Sequence, residues 1–298
     1  MILLPPAIAG NAADPHWYWW IIAYFFLGGI AAGAFLIAAV VDLFTPAENR
    51  PVARLGYLIA MPLTALCGLL LTVDLGKPLR FWHMLINVTT WQPAFKYWSP
   101  MSYGSWVLTS FGLASGLMFV LTLAELRGIG LARGPLGKII AALGAVAALL
   151  FVSYTGVLLN TTNQRVWSDN TILGALFAVS GISTGLAAIV LLLVASRGRT
   201  PALLERLERA DLIAIAVEIV LLLALVAILA AAGTAGALVG GLLGLFFWAG
   251  VLVVGLLIPL ALYLRPRTLG ALTPVLAASF ALVGGFILRA VILFSARA

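Results

Sequence analysis

Leu55-Gly-Tyr-Leu-Ile-Ala-Met-Pro-Leu-Thr-Ala-Leu-Cys-Gly-Leu-Leu-Leu-Thr-Val73 is an apolar run that ends on Asp74-Leu-Gly-Lys77-Pro-Leu-Arg80-Phe-Trp-His83, a stretch dense in ionisable side chains. Crossing the hydrocarbon core of a bilayer takes roughly 20 apolar residues. The run therefore has the length of one membrane span, and the charges mark where it meets water. Ionisable groups gathered at such a rim are candidates for function, because charge near a bilayer is costly. A plainer reading stays open beside it: Lys77 and Arg80 extend to the interface and only anchor the helix end. Asp74 and His83 do not suit that role.

The rest of the chain repeats the pattern. Of its 298 residues, 63% are hydrophobic and 9% are charged, with a mean hydropathy of +1.15, more than a soluble core of this size requires. About eight spans can be drawn: Trp17 to Leu43, Leu55 to Leu75, Met101 to Leu126, Leu136 to Asn160, Thr171 to Ala195, Ala210 to Ala232, Ala237 to Leu264 and Leu269 to Ser295. Continuous runs of this kind predict an all-α integral membrane protein, since a β-barrel would read as short alternating segments. The opening residues hold an aromatic belt, Trp17 to Trp20, and no basic stretch, so no cleaved signal peptide is expected.

A net charge of +7 would suggest nucleic acid as a partner of a soluble protein. Here the distribution decides against it. Most of the 17 Lys and Arg fall in alternate loops, at Arg50 and Arg54, Arg127 to Lys138, Arg197 to Arg209, and Arg265 and Arg267. The positive-inside rule puts those loops inside and both termini outside.

The first part of the chain holds most of the Trp, both His and the charged rim. This predicts a first four-helix bundle that carries the site, with the fifth helix completing residues 1–196 and the site itself within 16–163. Residues 197–298 form a more apolar remainder. The long connection from Gly76 to Pro100, rich in Trp, Phe and Tyr, faces outside and suits either the headgroup layer or a partner subunit.

Consecutive helices are antiparallel, so His16 and Trp17 should lie near Asp74, with Lys77, Arg80 and His83 just above. A His and a carboxylate together can take up and release protons; a His at a rim can equally be only interfacial. Ser153, Tyr154 and Thr155 come about one and a half turns before the polar end at Asn160. A buried Tyr hydroxyl needs a partner, which a quinone carbonyl can provide, and Tyr24 reaches a similar depth. Simple aromatic packing accounts for the same residues. His16 and His83 share one surface, so they cannot hold a haem between helices, and the lone Cys67 leaves no Cys-ligated cluster within the chain.

Several stretches together resemble the NrfD/PsrC-like family, the membrane anchors of polysulfide reductase and related enzymes. They are Asp74 to His83, His16-Trp17 with Gly28-Gly29-Ile-Ala-Ala-Gly33, Ser99-Pro100 with Tyr103-Gly104-Ser105-Trp106, and Gly284-Gly285-Phe-Ile-Leu-Arg289. The likeness covers most of the chain, and the Asp-Leu-Gly-Lys-Pro stretch is its most specific part. It implies a multi-pass subunit of a bacterial or archaeal cytoplasmic (inner) membrane that binds menaquinone or ubiquinone on the outer side, with no haem or metal of its own. It implies electron exchange with a ferredoxin-like iron-sulfur subunit and, through it, a molybdopterin catalytic subunit. Such a subunit is not catalytic alone.

On this resemblance Tyr154, in Ser-Tyr-Thr-Gly, matches the quinone-contacting tyrosine of the fourth helix, and Tyr24 falls near the place of a histidine found in some members. The expected site is thus Asp74, His16 and Tyr154 for chemistry, with Tyr24, Lys77, Arg80, His83 and Asn160 binding the quinone. Two other classes remain, a secondary transporter or proton channel and a purely structural anchor. The transporter reading rests on Glu218 and Arg289. Glu218 lies about two turns inside a helix that begins at Ala210 and Arg289 lies near the outer end, so neither is expected at mid-membrane, where transporters place their polar groups.

Overall fold

Length and apolarity make the helices, and prolines punctuate them. The computed structural model describes residues 17, 19–168, 170–196, 201–265 and 270–297. Eight of its helices are long and apolar enough to cross a membrane. We number them α1 (Trp19–Phe44), α2 (Arg50–Asp74), α3 (Pro100–Leu126), α4 (Pro135–Asn160), α5 (Leu173–Ala195), α6 (Pro201–Ala231), α7 (Gly241–Leu264) and α8 (Thr273–Phe294). The protein is a multi-pass, all-helical membrane protein. Among the described residues the nearest approach to a sheet is one isolated antiparallel bridge, Ile86 to Pro93.

Proline opens α3, α4 and α8 within the first turn, where its missing N–H costs no helical bond. Ser99 caps α3 by accepting a hydrogen bond from the Ser102 amide. Within α7 the backbone widens into a π-helix over Phe246–Leu257.

α1 is the most enclosed helix of the first half, packed by α2, α4 and α5. α5 is buried on most of its surface and joins the halves, because α1, α4, α6 and α8 all pack on it. α7 packs mainly on α8. Eight passes bring the start of α1 and the end of α8 to the end where α2 finishes, here called the Asp74 end. Trp17 stacks on Trp167 there, with ring centroids 5.6 Å apart. Trp167 in turn donates from Nε1 to the Ile292 carbonyl at 2.7 Å.

Two spans run longer than the apolar count predicts. α2 begins at Arg50 and α6 at Pro201. Both extensions are charged stretches in which partners are found by Arg50 and Arg54, on Glu125, and by Glu205, on Arg209 one turn later. The second extension corrects an expectation. Glu218 lies near the middle of α6, not two turns from its end.

Candidate functional site

The Gly76-to-Pro100 connection is folded, not slack. A 3-10 helix covers Pro78–Met84, and Ala94 donates to the Leu85 carbonyl to close the bridge. Asn87 Oδ1 accepts from both the amide and the hydroxyl of Thr89. The connection is pinned to α3 through Ser102, whose hydroxyl donates to the Ala94 carbonyl and accepts from the Lys96 amide, each at 3.0 Å. What it presents outward is aromatic. Trp91, Phe95, Tyr97 and Trp98 are all more than half exposed, while Trp82 stacks on Trp91 and meets His83 edge-on.

Asp74, Lys77 and Arg80 are exposed at the base of this connection, and His83 is half-buried. Among the described residues none of the four forms an ion pair or accepts or donates a side-chain hydrogen bond, so Asp74 is not neutralised by its cationic neighbours. His16 lies outside the described residues. Its expected place beside Asp74 therefore has no structural account.

Tyr154 is buried, and its hydroxyl donates to the Pro100 carbonyl at 2.9 Å. The local sequence makes this possible: a Cβ on Gly104 would sit 2.1 Å from the Tyr154 hydroxyl. Tyr103 tilts over the Tyr154 ring at 5.9 Å, and one turn deeper Phe151 meets Tyr24 at 6.1 Å. Tyr24 is also buried. The result is an aromatic layer spanning α1, α3 and α4 below the charged rim. Within the protein the partner of the tyrosine is a backbone carbonyl, reached because α3 brings its first turn directly over α4.

Two buried polar atoms near this end have no partner, Asn160 Oδ1 and Trp106 Nε1. Buried orphans of this kind call for an explanation, such as a strained site or a bound group. Asn160 is among the residues expected at the site. Trp106 is not, although it stands in the Tyr-Gly-Ser-Trp stretch, because nothing in a sequence says which indole lacks an acceptor. No hydrogen bond or ion pair links Asp74 to Tyr154, Tyr24 or Asn160. The structure gathers these residues at one end of the bundle without joining them.

Two further polar groups join residues that the sequence presents only singly, Arg50 and Arg54 as loop cations and Arg289 as a charge near a helix end. At the opposite end Glu125, 3% exposed, accepts from Arg50, Arg54 and Arg133 at 2.7 to 2.8 Å. Arg50 also pairs with Asp42, to which Tyr57 donates. The second group lies mid-chain. Asp211 accepts from Ser183 at 2.6 Å and from Tyr263 at 2.9 Å, and Arg289 is completely buried. Among the described residues no three His, Cys, Asp or Glu side chains converge as a metal-ligand set.

The chain has counterparts among known proteins. The family model described as polysulphide reductase, NrfD, matches residues 9–298. Protein NrfD of Escherichia coli is 31% identical over 94% of this chain and 95% of that one. One of the chains of polysulfide reductase from Wolinella succinogenes is 32% identical over 59% of this protein and 57% of that one. One of the subunits of selenate reductase from Mesobacillus selenatarsenatis is 32% identical over a shorter stretch, 26% of this protein and 20% of its own length. A match that runs through all eight spans leaves no part of the fold outside the likeness: the chain belongs to the NrfD polysulphide reductase family.

Proposed function

We propose that this protein is the quinone-interacting membrane subunit of a reductase complex, exchanging electrons between the quinone pool and an iron-sulfur subunit docked on its outer face. The names of the relatives, one belonging to polysulfide reductase and another to selenate reductase, support the reading of a subunit with a catalytic partner. The observation that carries the reading is the aromatic layer of Tyr24, Phe151, Tyr154 and Tyr103 directly beneath a rim of unpaired charge. A quinone ring needs flat apolar walls and a few placed polar atoms. The layer supplies the walls, and Asn160 Oδ1 and Trp106 Nε1 are an acceptor and a donor without protein partners.

When bound, a quinol supplies two electrons and two protons. The residues of this chain do the rest. Tyr154 has committed its proton to Pro100, so its oxygen is left to accept a hydrogen bond at the depth of the layer. Asp74, exposed and unpaired, is placed to receive protons and pass them to outer water. Lys77, Arg80 and His83 set the potential around it and, with Tyr97 and Trp98, form the face on which an iron-sulfur subunit docks. Both termini and this face lie outside on the same reading.

The test is Tyr154→Phe in the assembled reductase complex. Loss of one hydroxyl should lower the apparent affinity for quinol by about 0.5 to 1.5 kcal/mol while the complex stays intact. Unchanged quinol kinetics in an intact complex would return Tyr154 to packing and remove the main support. Asp74→Asn separates chemistry from docking: turnover should fall with quinone-analogue binding retained, whereas loss of the iron-sulfur subunit with normal turnover in the surviving complex would make Asp74 a docking residue.

A further inference from the structure

At the Arg50 end the carboxylates are saturated, but the arginines are not. Oε1 of Glu125 accepts from Arg54 Nη2 at 2.8 Å and from Arg133 Nε at 2.7 Å, so one oxygen holds two guanidinium groups side by side. Arg50 is engaged by the same carboxylate and by Asp42. Among the described residues Nη1 of Arg54 and both Nη atoms of Arg133 donate to nothing. The Arg54 side chain is 29% exposed and that of Arg133 is 56% exposed, so these donors are open to the surface.

Two like charges held together at a surface repel, and an anion between them relieves the repulsion. The neighbouring charges add to the pull. Arg127 and Lys138 are exposed and form no ion pair among the described residues, while Glu48 is the one further carboxylate in the turns at this end of α1 to α4. α4 begins two residues after Arg133 with no side-chain cap on its first turn, and a helix start favours negative charge beside it. The unused fork of Arg133 suits phosphate, which accepts two parallel N–H bonds.

The same corner is apolar, which a soluble anion does not require. Leu126, Ile129 and Leu131 alternate with the cations of the turn after α3, and each is more than half exposed. Beneath them α2 and α3 part. A Cβ on Gly112 of α3 would lie 3.8 Å from the Thr64 methyl of α2, in ordinary contact, whereas one on Gly116, a turn nearer Arg54, would meet nothing. Cations at the end of membrane spans, set over an open apolar seam, fit a phosphate headgroup with acyl chains attached. The cationic surplus disfavours a headgroup that carries its own ammonium.

We propose that this corner, between α2, α3 and the turn after α3, binds one anionic phospholipid from the leaflet on the Arg50 side. Its phosphate rests on the Arg54 and Arg133 guanidinium groups, and an acyl chain lies along Gly112 and Gly116. Binding is non-covalent and moves neither electrons nor protons. Glu125 is the positioning residue, since it touches no lipid and sets the spacing of the two arginines. The site lies at the opposite end of the bundle from the aromatic layer, so it stands whether or not a quinone binds there.

The experiment is native mass spectrometry of the full chain in detergent, titrated with phosphatidylglycerol or with phosphatidylcholine of the same acyl chains, with and without inorganic phosphate. Phosphatidylglycerol should form a one-to-one adduct about tenfold tighter than phosphatidylcholine, the scale set by one or two interfacial cations. Arg133→Gln should weaken that adduct about tenfold, while Arg209→Gln, on α6 and away from the corner, should leave it unchanged. Gly116→Leu fills the seam without touching a charge and should weaken it about fivefold. Should Arg133→Gln fail to purify, Arg133→Lys lacks the fork and must still weaken binding. The proposal is overturned by equal affinity for the two lipids, by an adduct indifferent to Arg133 or to Gly116, or by an equal loss in Arg209→Gln. Displacement of the lipid by an equal concentration of inorganic phosphate would also overturn it, because the corner would then be a site for a free anion.

Discussion

Two buried groups of charges divide the molecule, and they are built on opposite plans. At the Arg50 end, Glu125 takes hydrogen bonds from three arginines and Asp42 takes them from Arg50 and Tyr57. At the centre, Glu218 and Arg289 lie near each other without an ion pair, and an Arg289 nitrogen is left over. The first group is saturated, so it works as a clamp on α1, α2, α3 and the turn after α3. The second is under-satisfied at a depth where that is expensive. Saturation argues for stability, and its absence for function.

The comparison breaks if Glu125 proves dispensable. Glu125→Ala leaves Arg50 buried with half its partners removed, and breaking a buried pair from one side costs about 3–5 kcal/mol. Little folded protein should survive detergent extraction, measured as the monodisperse fraction after heating. Next in size is Gly284→Ala, which drives a methyl into the Gly255 backbone and should cost about 1–3 kcal/mol as overpacking. It should lower the melting temperature while leaving the Arg50 clamp intact. Glu218→Gln is the sharpening test. With no ion pair to lose and a hydrogen-bonding amide in place, it should cost less than about 1 kcal/mol, and a loss matching that of Glu125→Ala would erase the distinction between the groups. The smallest effect belongs to Arg133→Ala. Its side chain is 56% exposed, so the change should be within about 1 kcal/mol and should shrink further with added salt.

How much of this is legible in the sequence follows from range. The spans are local facts, since an apolar run of membrane length has few other folds, and all eight read to within a turn or so except the starts of α2 and α6. Those starts fail because hydropathy counts a charge as an end, whereas Arg50 is satisfied by Glu125, 75 residues away in the chain. The same distance hides the clamp. Arg50, Arg54 and Arg133 read as markers of orientation, and pairing with one carboxylate is invisible until α2 and α3 are packed. Tyr154 is legible as a residue but not its bond to Pro100, which depends on the absence of a side chain at Gly104. Glu218 is visible too, but the start of its own helix is not, so its place along α6 is misread.

The π-helix of α7 has a consequence for how this membrane span tolerates change in length. Its core-facing side chains include Phe247, Val251 and Leu256, spaced by four and five residues instead of three and four. A π turn holds one residue more than the α turn it replaces, so a single deletion between Phe246 and Leu257 can be absorbed by tightening one turn. The flanking faces then keep their partners. Elsewhere in these spans one lost residue swings every later side chain by about a quarter turn around the axis, toward lipid or away from it. Spare chain is thus stored in the middle of a helix, where no loop could hold it.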